Sequence, residues 1–294
     1  MGMRAFPCFG GRVNATEGVE CEGGAGSPGD RVCVLRGVPF AALRFGEALE
    51  CLDRMLCEER FHHVVTANTD FLFHARCDPA FAELLRRADL VLCDGAPLVW
   101  LSRLRSVHIP ERVAGADLVP FLLEGARARG LRVFWLGGSR EVARAAAEAI
   151  GLRYPGLDFH WYAPEVGDVD DAAAMEVVER VRKVAPALLL VSFGAPKAER
   201  WIAAHGAGLG VRVAVGVGAA IDFAGGRRKR APRWMRGVGA EWLFRLLQEP
   251  WRLGCRYLRD LLVVVPWLLG EKGRGDVRGS VEKGAAEGSR AGMV

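Results

Sequence analysis

The chain has 294 residues, 51% of them hydrophobic, and a formal net charge of +5, so it can bury one large core or two modest ones. Its eight cysteines show no Cys-x-x-Cys spacing, which speaks for reduced thiols and against a disulfide framework or a zinc site. The longest late apolar stretch, Leu261–Leu269, is broken by Pro266 and falls far short of the ~20 residues that span a bilayer.

Residues 1–31 are Gly-rich and lack the apolar stretch of a secretory signal, so they read as a disordered leader. From Val32 onward, short apolar runs alternate with helical patterns. The runs are Phe61–Val65, Leu90–Cys93, Arg132–Leu136, Ala187–Phe193 and Val211–Val217, with Val32–Leu35 and Phe159–Tyr162 as additional strands. Pro79 opens a helix over Ala80–Arg87, Ser139 is placed to cap one over Glu141–Ile150, and Pro196 opens Lys197–His205. A further helix is expected at Glu241–Leu247. This alternation predicts an α/β fold, a Rossmann-like doubly wound and mostly parallel sheet. The α/β core is expected over 32–226, a basic helical C-terminal appendage over 227–270, and a disordered tail over 271–294.

Right-handed crossovers bring the strand-to-helix turns to one sheet edge, where open α/β sheets bind ligands. Five turns converge there: Thr66–Asp70, Asp94-Gly95, Gly137–Arg140, Gly194–Lys197 and Gly216–Ala220. Asp94 follows a buried apolar run and precedes Gly95; it is either a general base shielded by apolar neighbours or a turn-forming residue. Gly137-Gly138-Ser139 is either a diphosphate cradle at a helix N-terminus or an ordinary tight turn. Gly216-Val217-Gly218 lacks the third glycine of a dinucleotide fingerprint, which argues against an NAD-dependent dehydrogenase. Arg112 suits bidentate pairing with phosphate or a salt bridge to Asp117 or Glu111. Asp168, Asp170 and Asp171 read as helix-capping residues rather than metal ligands.

Between Arg227 and Arg259, ten Lys and Arg face only Glu241 and Glu249, a local charge of +8 that leaves the remainder near −3. Interleaved tryptophans suit an anionic membrane surface better than nucleic acid.

Many of these segments together resemble the WecG/TagA/CpsF family of bacterial glycosyltransferases. They are Thr66, Asn68 and Asp70; Ala88–Leu92 with Asp94-Gly95; Pro110–Val113 with Gly115 and Asp117-Leu118; Leu136–Gly138; Phe193–Lys197 with Glu199; Gly216–Ala220 with Asp222–Gly225; Arg230–Pro232; Glu241–Leu243 with Arg245-Leu246; and Glu249-Pro250 with Arg252. The similarity runs in order from about Val32 to Leu262. It implies an inverting transferase with no metal or other cofactor. A sugar would pass from a UDP-sugar to a polyprenyl-diphosphate-linked saccharide, on the cytoplasmic face of the membrane, in surface polysaccharide synthesis. By position, Asp94 would be the base, Thr66 and Asn68 would line the sugar pocket, and Arg112 would assist the departing UDP. Asp70, Gly95, Gly137, Gly138, Ser139, Pro196, Lys197, Glu199 and Asp222 would complete substrate binding. Arg230, Arg233, Arg236, Arg245 and Arg252 would face acceptor and membrane. Ala198 stands where the family usually has glutamine, which leaves the donor sugar open and makes a catalytically impaired scaffold the alternative. Self-association is likewise left open.

Overall fold

A computed structural model describes residues 31–104, 108–164, 172–227, 230–232, 234–235, 241–251, 253–254, 257–260 and 265. Residues 1–30 of the expected leader, the expected tail, the Asp168–Asp171 cluster, Arg233, Arg236 and Arg252 lie outside the described residues.

The order begins with strands β1 (Val32–Leu35) and β2 (Val38–Ala41), helix α1 (Phe45–Cys57), β3 (His62–Ala67), α2 (Thr69–Cys77) and α3 (Pro79–Arg87). It continues with β4 (Leu90–Cys93), α4 (Ala96–Ser102), α5 (Gly115–Ala128), β5 (Val133–Gly137), α6 (Arg140–Arg153), β6 (Phe159–Tyr162) and α7 (Ala172–Val184). Then follow β7 (Leu188–Ser192), α8 (Lys197–His205), β8 (Val213–Gly216), α9 (Ala220–Ala224) and α10 (Glu241–Gln248).

Six strands form one sheet in the order β4-β3-β8-β7-β5-β6, and every pairing within it is parallel. The expected Rossmann-like α/β class is thus the observed one. The central strands carry apolar residues at consecutive positions because both of their faces are covered. On one face Val64, Leu92, Trp135, Leu190 and Val215 pack with α1, α5, α6 and α9. On the other face, Val65 and Val91 pack with α2 and α3, while Phe134, Leu189 and Ala214 pack with α7 and α8. Each Leu or Val so removed from water contributes about 1.5–3 kcal/mol, which is why strand register admits no slip.

Two expectations change. Val32–Leu35 is a strand, but it pairs only with β2 in an antiparallel hairpin outside the parallel sheet. Its alternating burial, with Cys33 and Leu35 inside and Val32 and Val34 exposed, marks a ribbon with one covered face. The Thr66–Asp70 turn is shorter than expected. Strand β3 runs through Ala67, and α2 starts at once, its Asn68 cap accepting the Asp70 N–H at 3.0 Å. Ser139 caps α6 as expected, accepting the Val142 N–H at 3.4 Å.

Candidate active site

Strand register explains why the site lies where it does. Ala67 pairs with Cys93, Val65 and Val191 both pair with Gly216, and Gly137 pairs with Ser192. Five strands therefore end nearly level, and their turns surround a cleft of about 810 Å³. Thr66, Asn68 and Asp94 line one side, Ser192, Glu199 and Gly216 the middle, and Gly138 and Asp222 the far side.

Asp94 is fixed by its own backbone, whose N–H donates to the Ala67 carbonyl at 2.8 Å. Its carboxylate reaches the cleft floor beside Arg112, Oδ1 lying 3.5 Å from Nη1. About a quarter of the Asp94 side chain stays accessible, and the residue lines two cavities. Burial pushes its pKa up to about 6, against the pull of Arg112 and Arg245 and with repulsion from Glu241 and Asp117 added. An aspartate tuned in this way is ionised at neutral pH yet basic enough to take a proton. The neighbouring thiol of Cys93 is driven the other way from reactivity: burial pushes it up to about 12.

Arg112 is the hub of the charges. Its Nη2 sits 2.9 Å from Glu241 and 3.2 Å from Asp117, in addition to the Asp94 contact. Burial opposes its charge, but Asp94, Glu241 and Asp117 hold the guanidinium above its ordinary value. Arg230 joins from the C-terminal segment, donating to Asp117 at 2.7 Å and to the Ala116 carbonyl at 3.1 Å. Among the described residues no three His, Cys, Asp or Glu side chains gather in a way that would hold a metal ion.

The other expected residues divide by role. Thr66 spends its hydroxyl proton on the Gly216 carbonyl at 2.7 Å, so toward a ligand in the cleft it can only accept. Gly137 has φ +104, and a Cβ there would lie 2.9 Å from the Ser192 carbonyl carbon; the turn needs glycine. Gly138 lines the cleft, while Ser139 lines an adjoining groove of about 1280 Å³ with Trp161 and Tyr162. Glu199 is 2% exposed, and its Oε2 has no hydrogen-bond partner; burial pushes its pKa up to about 7. From the Gly194–Lys197 turn it is Gly194 and Ala195 that face the cleft, joined by Ala198 and Glu199 of α8; Pro196 and the exposed Lys197 lie outside the lining. Asp70 is buried and bound to Arg259 at 2.6 Å, so its charge is committed to the C-terminal segment. Gly95 lines a second, smaller cavity beyond Asp94. Arg245 lines both cavities, its guanidinium 5.9 Å from the centre of the Phe223 ring.

Sequence reasoning missed Glu241, Asp117, Arg259 and Ser192 as members of the site. For Glu241 a signal existed: an acid almost alone in a strongly basic segment needs a cation of its own, and here it takes Arg112 and Arg230. Ser192 gave no such signal, since its position rests on the indole N–H of Trp135, which donates to its hydroxyl at 2.8 Å.

Comparison with known proteins gives the family. The sequence model described as the Glycosyl transferase WecG/TagA/CpsF family matches residues 32–277. Two similar relatives are the N-acetylglucosaminyldiphosphoundecaprenol N-acetyl-beta-D-mannosaminyltransferases of Staphylococcus aureus strains MW2 and MRSA252. Each is 32% identical over 191 residues, covering 65% of this chain and 74% of the relative. A parallel α/β sheet with an aspartate and an arginine at its carboxyl edge, matched by that model over most of its length, makes this chain a glycosyltransferase of the WecG/TagA/CpsF family.

Proposed function

We propose that the chain is an inverting, metal-independent transferase that moves a sugar from a UDP-sugar to a polyprenyl-diphosphate-linked saccharide in the building of a bacterial surface polysaccharide. N-acetylmannosamine is the first donor sugar to test, since the relatives' name specifies its transfer to N-acetylglucosaminyldiphosphoundecaprenol. Its uronic acid and glucose follow.

The observation that carries this reading is Asp94, held at the end of β4 on the cleft floor beside Arg112. Asp94 takes the proton of the acceptor hydroxyl. The hydroxyl oxygen forms a new bond to the anomeric carbon from the face opposite UDP. The anomeric C–O bond to the diphosphate breaks, its electron pair leaves on the phosphate oxygen, and a single displacement inverts the centre. Negative charge developing on UDP is met by the N-terminus of α6 behind Gly138 and by Arg245, which lines the cleft, while Arg112 acts on the departing diphosphate from beside Asp94. Asp94, Asp117 and Glu241 are already neutralised by guanidinium groups, which supports charge stabilisation by arginine instead of a divalent ion.

The region from residue 227 to 270 is read as the membrane-associating appendage at the inner face of the plasma membrane. Among the described residues no helix is long and apolar enough to cross a bilayer. The test is a UDP-release assay over a panel of UDP-sugars with a short-chain prenyl-diphosphate-linked N-acetylglucosamine, EDTA present. Release with one donor is expected. UDP binding without release from any donor would favour the impaired scaffold that Ala198 makes conceivable.

A further inference from the structure

The 810 Å³ cleft is not the only cavity that reaches Asp94. A second one, of about 470 Å³, lies between α4 and the C-terminal segment. The two share three lining residues, Asn68, Asp94 and Arg245, and among the described residues Asp94 is the one carboxylate that faces both. The volume of the second cavity falls within the usual ~300–1,000 Å³ of small-molecule sites. Its walls differ in kind from those of the cleft. Trp242 and Leu246 of α10, Tyr257 and Leu258 of the following segment, and Ala96 and Pro97 of α4 give it an apolar wall, beside the charged Arg112, Glu241 and Asp260. The rings of Trp242 and Tyr257 meet at 89° with centroids 5.9 Å apart, forming a right-angled aromatic corner. Trp242 remains 39% exposed and Leu258 68% exposed, so the mouth of the cavity is apolar on its solvent side.

Displacement with inversion requires the attacking hydroxyl and the leaving diphosphate to lie on opposite sides of the anomeric carbon. A base that serves the hydroxyl must then face a space other than the one holding the diphosphate. The glycine turn at Gly138 lines the cleft and is not part of the second cavity, so the cleft is the diphosphate's side. We infer that the 470 Å³ cavity is the acceptor subsite: the reacting saccharide packs on the Trp242–Tyr257 corner with its hydroxyl toward Asp94, and the prenyl chain leaves over Leu258. The inference rests on the reaction proposed above. A pyranose presents an apolar face of C–H groups that matches an aromatic ring, and its hydroxyls meet Asn68, Asp94 and Arg245 at the inner end. Leu243 and Leu247, four residues apart on α10, are also exposed, at 40% and 73%. They extend the apolar surface of the same segment, as a lipid-borne substrate requires.

The test uses the full chain, UDP, a UDP-sugar and short-chain prenyl-diphosphate-linked N-acetylglucosamine, with Trp242→Ala and Leu258→Glu as variants. Both side chains are exposed enough for their loss to leave the core intact, and unchanged UDP affinity by calorimetry reports that the fold is kept. Each variant is expected to raise the KM for acceptor by about tenfold, the scale of one lost aromatic or apolar contact, with the KM for donor unchanged. Unchanged acceptor KM in both variants, or a rise in donor KM and UDP Kd instead, would overturn the assignment. Direct titration of the prenyl-linked probe into the UDP-loaded chain separates this inference from the reaction. Binding that Trp242→Ala removes, without turnover in the parent chain, keeps the subsite and sinks the proposed reaction. Absence of both binding and turnover sinks both.

Discussion

Asp94 and Glu199 are two carboxyls raised by burial in one cleft, and they differ in company. Asp94 has Arg112 and Arg245 to temper the effect of burial, whereas nothing cationic offsets it at Glu199. Asp94→Asn is expected to fold normally and to lose about 10²–10⁴-fold in kcat, the usual worth of a positioned base. In the parent chain kcat/KM should rise with pH through about 6 as Asp94 ionises, and the variant's residual rate should lack that limb. A near-parental rate in the variant removes the base assignment. The same shifts bear on stability. A carboxyl whose folded pKa exceeds its unfolded value stabilises fully below the unfolded value and loses that contribution as pH rises through the folded one. For Glu199 the window runs from its ordinary 4.5 to about 7. Glu199→Gln should therefore stabilise the protein at pH 8 by on the order of 3 kcal/mol, with no gain near pH 4. Thermal melts at the two pH values decide it; a lower melting temperature at pH 8 would mean that the ionised carboxylate has a partner.

Elements act through where they end. The β5–α6 turn depends on Gly137, whose positive φ and closeness to the Ser192 backbone leave no room for a Cβ. Gly137→Ala should cost roughly 1–3 kcal/mol of stability and weaken UDP binding, because the N-terminus of α6 shifts away from the cleft. Calorimetry with UDP alone checks this, and full UDP affinity would exclude a diphosphate role for the turn. Among the described residues, charge pairs tie the C-terminal segment to the sheet edge. Arg230 reaches Asp117, Glu241 reaches Arg112, Arg259 reaches Asp70, and Asp260 accepts from Thr69 at 2.8 Å. Their carboxylates are largely buried at Glu241 and Asp70, so these pairs are screened by salt less than exposed surface pairs are.

At the scale of the molecule, charge is segregated. The segment from Arg227 to Arg259 holds a local +8 on a chain whose remainder is slightly acidic. Its large apolar residues Trp234, Leu247 and Trp251 are exposed at 70%, 73% and 92%. Flotation with vesicles containing anionic lipid is expected for the full chain, and it should decline as salt is raised. A chain ending at Phe223 should remain at the bottom of the gradient, and its continued flotation would discard the membrane reading.

How much of this was legible beforehand follows from the range of the interactions involved. Strands β3, β4, β5, β7 and β8 were readable because a strand buried on both faces is mostly apolar along its length, a property of consecutive residues. The cap at Ser139, the helix start at Pro79 and the glycines of the turns were readable for the same reason. Level strand ends made Thr66, Asp94, Gly138 and Gly216 neighbours, and the parallel α/β pattern already implied that edge. Helix α1 escaped notice because Arg44 is a poor cap, and its placement rests on Ala48, Leu52 and Leu56 reaching the sheet. What the amino-acid sequence by itself determined was the class of fold, the sheet edge where the cleft opens and the aspartate that lines it. Only the tertiary structure decided that Glu241 faces Arg112 across more than a hundred residues of chain, that Glu199 lies buried in the cleft with its Oε2 unpaired, and that Asp94 lines two cavities. Contacts of that kind depend on which surfaces meet when the C-terminal segment folds back over the sheet edge, and no local pattern encodes that meeting.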